Sequence, residues 1–176
     1  MPKKPSRTDG TDSDSSVRGE AAPSTNSGNR MVLYLPSSLD YLSVVDKMVD
    51  GVTEMLDLNE EDGIAVATSV IEACTNAIQH GHRLEAKKLF QCTFQIGEDR
   101  LEVTVKDWGP GFDVDAVIKG DPTGPGGLLR SRGRGIFIMR SMMDDVAFEV
   151  GCPEGTTVRM TKIYSRRPNR GGGESA

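Results

Sequence analysis

Long apolar runs are missing from this 176-residue sequence, and their absence excludes two classes of protein. No stretch approaches the roughly 20 mostly apolar residues that a membrane span requires. The first residues are basic, but no apolar segment follows them, so we expect no signal peptide. We therefore predict a cytoplasmic protein without a membrane partner.

Cysteine is also scarce, which bears on the redox class of the protein. The three cysteines, Cys74, Cys92 and Cys152, are far apart in the chain, and no CxxC pair occurs. An odd number of cysteines without close pairs is a poor framework for disulfides or zinc. We predict three reduced thiols, as is usual inside cells.

Positive charge is in deficit, with 21 Lys and Arg residues against 26 Asp and Glu residues and a net charge of −5. A general nucleic-acid binder needs basic groups that displace the counterions of the phosphate backbone. The charge balance therefore predicts no direct nucleic-acid partner.

Large apolar residues are nearly absent from both ends of the chain. Residues 1–29 are rich in Ser, Thr, Gly, Pro, Asn and Asp, and residues 166–176 in Arg and Gly. Such segments cannot bury enough surface to offset their chain entropy, so we expect a disordered tail and a flexible tail. Residues 30–165 are long enough for one hydrophobic core and are predicted to form one domain.

The apolar pattern of this core alternates between strand and helix periods. Ser37 or Ser38 is expected to cap the first helix, and the second starts near Asn59. A Gly- and Pro-rich stretch from Asp107 to Gly135 is typical of a functional loop such as a lid. The predicted elements are a strand at 31–35, helices at 38–56 and 59–81, a hairpin of 88–96 and 101–105, a short helix at 114–118, a helix at 135–143, and strands at 145–150 and 156–163. This order predicts an α+β fold of two layers, a mostly antiparallel sheet with helices on one face.

Three polar residues of the second helix, Glu72, Asn76 and His80, follow one another at spacings of four. This spacing places them in one stripe along the helix. A solvated polar face would explain the spacing alone. The chemistry also suits an active site, since Glu can be a general base and Asn offers a neutral oxygen to Mg²⁺. We interpret His80 as a polar residue at the helix end and not as a phosphorylation site.

Glycines accompany polar residues at three later places in the chain. Asp107 ends a predicted strand and is followed by Gly109 and Gly111, which let the backbone approach a planar ligand. Each such motif alone is explained by an ordinary turn. The other two motifs are Gly133-Arg134-Gly135, expected at the start of the third helix with Arg130 and Arg132 nearby, and Gly155-Thr156-Thr157 at the start of the last strand. Gly-rich helix starts can bind phosphate, but neither a P-loop nor a full GxGxxG is present.

The order of these motifs is more specific than any one of them. Glu72-x-x-x-Asn76-x-x-x-His80, the two glycine motifs and the final Gly-Thr resemble the ATP-binding domain of the histidine-kinase-like (GHKL) ATPases over residues 31–163. The stretch at 71–81 is similar to the N box of the bacterial anti-sigma-factor serine kinases. The resemblance implies a Bergerat-type ATP-binding fold.

The resemblance also implies roles for single residues. Asn76 would coordinate Mg²⁺ that bridges the ATP phosphates, Glu72 would be the base for an acceptor serine, and Asp107 would bind the adenine amino group. The family's lid arginine would be Arg130 or Arg132, which lie in the run Arg130-Ser131-Arg132-Gly133-Arg134. The nucleotide pocket would be shaped by Gly109, Gly111, Gly133, Arg134, Gly135, and Thr156 or Thr157.

Three functions remain open from the sequence. The resemblance implies a serine/threonine kinase that binds a sigma factor, phosphorylates a small anti-sigma factor antagonist, and often forms a homodimer. A second hypothesis is the ATP-binding half of a histidine phosphorelay, but the sequence offers no helical hairpin with an acceptor histidine. A third is a non-catalytic module in which ATP only controls a protein contact. The presence of both Glu72 and Asn76 argues against this third hypothesis.

Overall fold

The computed structural model describes residues 29–111, 127–151 and 155–165, and the side chains of these residues except 127–132. Its elements are β1 (Arg30–Pro36), a 3₁₀ turn (Leu39–Tyr41), α1 (Leu42–Met55), α2 (Glu60–Asn76), a π-helical turn (Ala77–Gly81), β2 (Leu89–Ile96), β3 (Arg100–Asp107), α3 (Gly127–Met142), β4 (Asp145–Gly151) and β5 (Gly155–Ile163). The predicted tails and the predicted helix at 114–118 lie outside the described residues, and the domain boundaries remain predictions.

The five strands form one sheet in the order β1-β2-β3-β5-β4, in which every neighbouring pair is antiparallel. Buried and less buried residues alternate along β3, as expected for a sheet with one covered face. The last of the described strands, β5, lies inside the sheet, between β3 and β4. The predicted α+β class with a mostly antiparallel sheet is confirmed.

Helix α2 is the central helix of the second layer, since it contacts α1, α3, β3 and β5. It begins as predicted, because the Asn59 side chain accepts a hydrogen bond of 2.8 Å from the Asp62 backbone N–H. Asp62 also pairs with Lys162 of β5 at 2.7 Å, in a partly buried ion pair that ties the start of α2 to the sheet. Val66 and Val70 are fully buried on the sheet-facing side. The helix thereby fixes the position of the polar residues in its last turns.

The start of the third helix differs from the prediction. We expected it at Gly135, but α3 begins at Gly127, eight residues earlier. Leu128, Leu129 and Arg130 are good helix formers, and packing of α3 on α2 outweighs the low helix propensity of the glycines. Gly133-Arg134-Gly135 therefore lies inside α3 and not at its N-terminus, and a role of this motif in binding phosphate stays a prediction.

Two further findings concern membrane-spanning helices and the cysteines. Within the part of the chain that the structure describes, no helix has the length and hydropathy of a membrane span. Cys74 and Cys92 are buried and form no disulfide. A hydrogen bond with Cys92, together with burial, raises the pKa of the Cys74 thiol. Cys152 lies outside the described residues.

Candidate active site

A cleft between α2 and the sheet brings together residues from distant parts of the sequence. Asn76 comes from the last turn of α2, Asp107 from the end of β3 and Thr156 from the start of β5. Apolar side chains complete the cleft, namely Ala73, Ala77, Val105, Ile136, Phe148 and Val158. Three polar groups on an apolar background are the usual composition of a small-molecule site.

The sheet register decides which of the two threonines faces the cleft. Asp107 pairs directly with Thr156 across β3 and β5, and both are buried. Side chains alternate between the two faces of a strand, so Thr157 lies on the opposite face of the sheet. Thr156 lines the cleft and Thr157 does not.

Three glycines pack against the turn that carries Asp107. A methyl group at Gly81 would overlap the Asp107 carboxyl group, and one at Gly109 would overlap the Gly81 carbonyl. Gly155 has a φ of +86°, and a methyl group there would overlap the Asp107 carbonyl oxygen. Because backbone meets backbone at the last two contacts, only glycine allows this close approach. The turn is therefore packed tightly between the backbone at Gly81 and the backbone at Gly155.

Hydrogen bonds fix the same turn, and they involve residues that sequence analysis did not place in the site. The Gly109 backbone N–H donates to Asp107 Oδ1 at 2.8 Å, and the Trp108 backbone N–H donates to His82 Nε2 at 3.0 Å. The other ring nitrogen of His82 pairs with the Ser37 hydroxyl at 2.5 Å. Ser38, and not Ser37, caps the 3₁₀ turn that leads into α1, whereas α1 itself begins after Tyr41 without a side-chain cap. The only sequence signal for His82 was its place just after Gly81, at the end of the polar stripe.

Glu72 lies one helical turn before Asn76, about 6 Å along the axis of α2. Its carboxyl group contacts α3, where a methyl group at Gly135 would overlap Glu72 Oε1. Partial burial raises the pKa of Glu72, and the positive charge of Arg134 partly counteracts this effect. A carboxylate with a raised pKa is a better proton acceptor, which suits a general base.

The remaining residues of the predicted site are arranged around this cleft or beyond it. Gly111 has a φ of +72° and lies against Val150, after the Asp107 turn. Gly133 is inside α3, whereas the side chains of Arg130 and Arg132 lie outside the described part of the structure. The structure thus brings Glu72, Asn76, Asp107 and Thr156 to one region and leaves the role of the two arginines as a prediction.

The donor set suits a nucleotide-bound Mg²⁺ better than a metal held by protein alone. Among the described residues, no group of three or more His, Cys, Asp or Glu side chains could hold a metal ion. The amide of Asn76 faces the cleft and can supply one oxygen. Mg²⁺ commonly takes one or two protein ligands and completes its octahedron with phosphate oxygens and water.

Comparisons with known proteins indicate one family. The model of the histidine kinase-like ATPase domain matches residues 35–162. Serine-protein kinase RsbW of Bacillus velezensis is 35% identical over 137 residues, which are 76% of this chain and 84% of that protein. RsbW of Bacillus subtilis is 31% identical over 144 residues, which are 80% of this chain and 89% of that protein.

A solved structure shares the fold. The crystal structure of the RsbU and RsbW domains of a Mycobacterium tuberculosis protein superposes with a TM-score of 0.56 at 14% identity, over 80% of this chain and 34% of that one. The fold and the matched residues define a histidine kinase-like ATPase domain, and the chain belongs to that family. Within it, the chain groups with the RsbW serine-protein kinases, the anti-sigma-factor kinases that the N box had indicated.

Proposed function

We propose that this protein is an ATP-dependent serine/threonine protein kinase that acts as an anti-sigma factor. It would sequester a sigma factor and phosphorylate a serine on a small anti-sigma factor antagonist. The observation that carries the proposal is the convergence of Asn76, Asp107 and Thr156 on one cleft, with Glu72 one turn away. The names of the relatives, serine-protein kinases, support it.

The adenine end of the cleft is the turn at Asp107. A carboxylate buried at a strand end can accept a hydrogen bond from the exocyclic amine of adenine, which guanine lacks at that position. The packed glycines Gly81, Gly109 and Gly155 keep this carboxylate in place before ligand arrives. Thr156 lies directly opposite on β5 and would contact the same end of the nucleotide.

The phosphate end would lie near the last turn of α2. Asn76 would hold Mg²⁺ together with the phosphate oxygens, and the ion would neutralise phosphate charge. Arg130 or Arg132, together with Arg134, would add positive charge on the other side. Gly133 would help to shape the pocket there. Phosphoryl transfer depends mainly on such positioning and charge neutralisation.

Glu72 is proposed as the base of the reaction. The serine oxygen of the antagonist would form a bond to the γ-phosphorus while the bond between that phosphorus and the β–γ bridging oxygen breaks. ADP leaves, and the hydroxyl proton passes to Glu72. The close contact between Gly135 and the Glu72 carboxylate would position this group for the hydroxyl of the acceptor serine.

The histidine-phosphorelay alternative has less support in the structure. The sequence has two histidines, and His82 is 1% exposed with both ring nitrogens engaged. Such a side chain is a poor phosphoryl acceptor. A non-catalytic module would have the same cleft, so only a measurement of phosphotransfer separates it from a kinase.

Partners would be identified by affinity capture of the full chain from its source cells with Mg-ATP or Mg-ADP, followed by mass spectrometry and phosphosite mapping. We expect a sigma factor and a small protein that carries phosphoserine. Recovery of a phosphohistidine protein without a sigma factor would favour the phosphorelay. We also propose a cytoplasmic homodimer without nucleic-acid or membrane contact, to be checked by light scattering.

The base would be tested with Glu72→Gln, and the matched control is Glu61→Gln, an exposed residue in the first turn of the same helix. We expect Glu72→Gln to lose phosphotransfer to the captured antagonist by roughly 100- to 10,000-fold while ADP binding survives. The control should keep both activities. An unchanged rate in Glu72→Gln would remove this residue from the role of base.

A further inference from the structure

His82 connects three segments of the fold at a buried point. Its ring contacts Ser37, which follows β1, and the backbone of Trp108, which follows β3. The residue itself ends the π-helical turn after α2. Ser37 is 0% and His82 is 1% exposed, so water does not compete for these hydrogen bonds.

The direction of one hydrogen bond determines the form of the ring. The Trp108 backbone N–H can only donate, so His82 Nε2 must be the unprotonated acceptor at 3.0 Å. In a neutral ring the proton is then on Nδ1, which donates to the Ser37 hydroxyl oxygen. A proton added to Nε2 would place two N–H groups against each other and break the bond to Trp108.

We infer that His82 is a positioning residue for nucleotide selection: its neutral Nδ1–H tautomer anchors the Trp108 backbone and thereby holds the adjacent Asp107 carboxylate in the orientation that recognises adenine. The inference rests on the proposed function, since Asp107 is assigned to adenine there. His82 touches the turn from outside the cleft, so it acts through Trp108 and does not meet the nucleotide.

Burial and the charges around the His82 ring determine the pH at which its hydrogen bond to the Trp108 backbone is lost. Burial lowers the pKa of His82, and Lys88 acts in the same direction, while Asp107 and Glu85 raise it. Because burial is the largest effect, the ring is neutral at pH 7 and gains a proton only as the pH falls below the ordinary value of about 6.5. The anchor is therefore intact at neutral pH and weakens on acidification.

The tautomer is measured on the full chain without nucleotide, by long-range ¹H–¹⁵N NMR of the labelled histidines. The signals that remain in a His80→Gln variant belong to His82, so this variant assigns the signals of the two rings. We expect an unprotonated Nε2 and a protonated Nδ1 at His82 at pH 7. Nε2 should gain its proton only at a pH below the ordinary histidine pKa. A protonated Nε2 at pH 7 would overturn the inference, whether or not the protein binds ATP.

Two variants separate the two hydrogen bonds of the ring. His82→Gln keeps an amide oxygen near the position of Nε2, so the Trp108 N–H retains an acceptor. His82→Asn places its amide near the position of Nδ1 and leaves the Trp108 N–H unsatisfied. We expect His82→Asn to weaken ADP binding roughly tenfold or more and to reduce the preference for ADP over GDP, and His82→Gln to stay within about threefold of wild type.

Calorimetric titration with ADP and GDP, at several pH values, gives the affinities, and thermal melting gives the stability of each variant. The loss of ADP affinity on acidification should be smaller in His82→Gln than in wild type. If both variants lose ADP affinity to the same extent, and if this loss follows their melting temperatures, His82 has a structural role only and the inference is overturned. If wild type binds no ADP, the proposed function fails, while the tautomer and the hydrogen exchange of the Trp108 amide still test the anchor.

Discussion

Replacement of Gly135 by alanine tests whether α3 positions the carboxylate of Glu72, the residue proposed as the base. A methyl group at this position would overlap Glu72 Oε1 and would lie 2.7 Å from Cδ and 2.8 Å from Cγ. An ordinary contact needs at least 3.4 Å. Cδ must therefore move by about 0.7 Å and Oε1 by clearly more than that. Since the carboxyl group ends a flexible side chain, it can move without a shift of backbone.

The effect on stability should be small because two terms oppose each other. Alanine in place of an interior helix glycine stabilises the folded state by up to about 1 kcal/mol. A strained rotamer of Glu72 costs about 0.5–1.5 kcal/mol. We expect the free energy of unfolding, measured with urea, to change by less than about 1 kcal/mol.

The effect on catalysis should be larger. Misplacement of a reacting group by about 1 Å can cost about 100-fold in rate, so we expect phosphotransfer to the captured antagonist to fall roughly 10- to 100-fold. ADP affinity should be nearly unchanged. The matched control is Gly63→Ala in α2, where a methyl group meets open space, and it should keep full activity. Full phosphotransfer by Gly135→Ala would refute the idea that this contact positions the base.

Three further predictions follow from single contacts. Burial raises the pKa of Glu72 in the folded protein. The protonated side chain therefore favours folding below about pH 4.3, and this contribution is lost as the pH rises through the pKa of the folded state. Glu72→Gln should melt at a higher temperature than wild type at pH 7 and at the same temperature near pH 3. Gly109→Ala would force a methyl group onto the Gly81 backbone, and we expect a loss of about 1–3 kcal/mol in urea unfolding together with loss of ADP binding; an intact variant would contradict the packing of the turn. The buried Ser69 hydroxyl has no hydrogen-bond partner among the described residues, so Ser69→Ala should leave the urea midpoint unchanged or raise it, and a marked drop would reveal a partner.

Local patterns were sufficient to predict most of the sheet and the first two helices. The hairpin of β2 and β3 followed from alternating residues around a turn, and the start of α2 from the cap at Asn59. The start of α3 did not follow, because its first turns contain glycines that favour a loop in isolation. Packing against α2 decided that boundary, and such packing cannot be read from a local window.

In the candidate site, too, local sequence patterns predict some positions and tertiary contacts decide the others. Glu72 and Asn76 share one helix, so their spacing was enough to place them together. The choice between Thr156 and Thr157 depends on a register of one residue, which only the pairing with Asp107 determines. His82 and Ser37 are 45 residues apart, and no sequence pattern predicts that they meet.

The position of β5 has a consequence for how the protein is made. β5 comes last among the described elements, yet it fills the gap between β3 and β4 and supplies Thr156 opposite Asp107. A growing chain that ends before residue 155 therefore leaves β3 with an open edge, β4 without a partner strand and the cleft incomplete. Nascent protein on the ribosome should be unable to recognise nucleotide and should be prone to pair its open edges with other strands. Binding competence is acquired only after the residues of β5 have been synthesised.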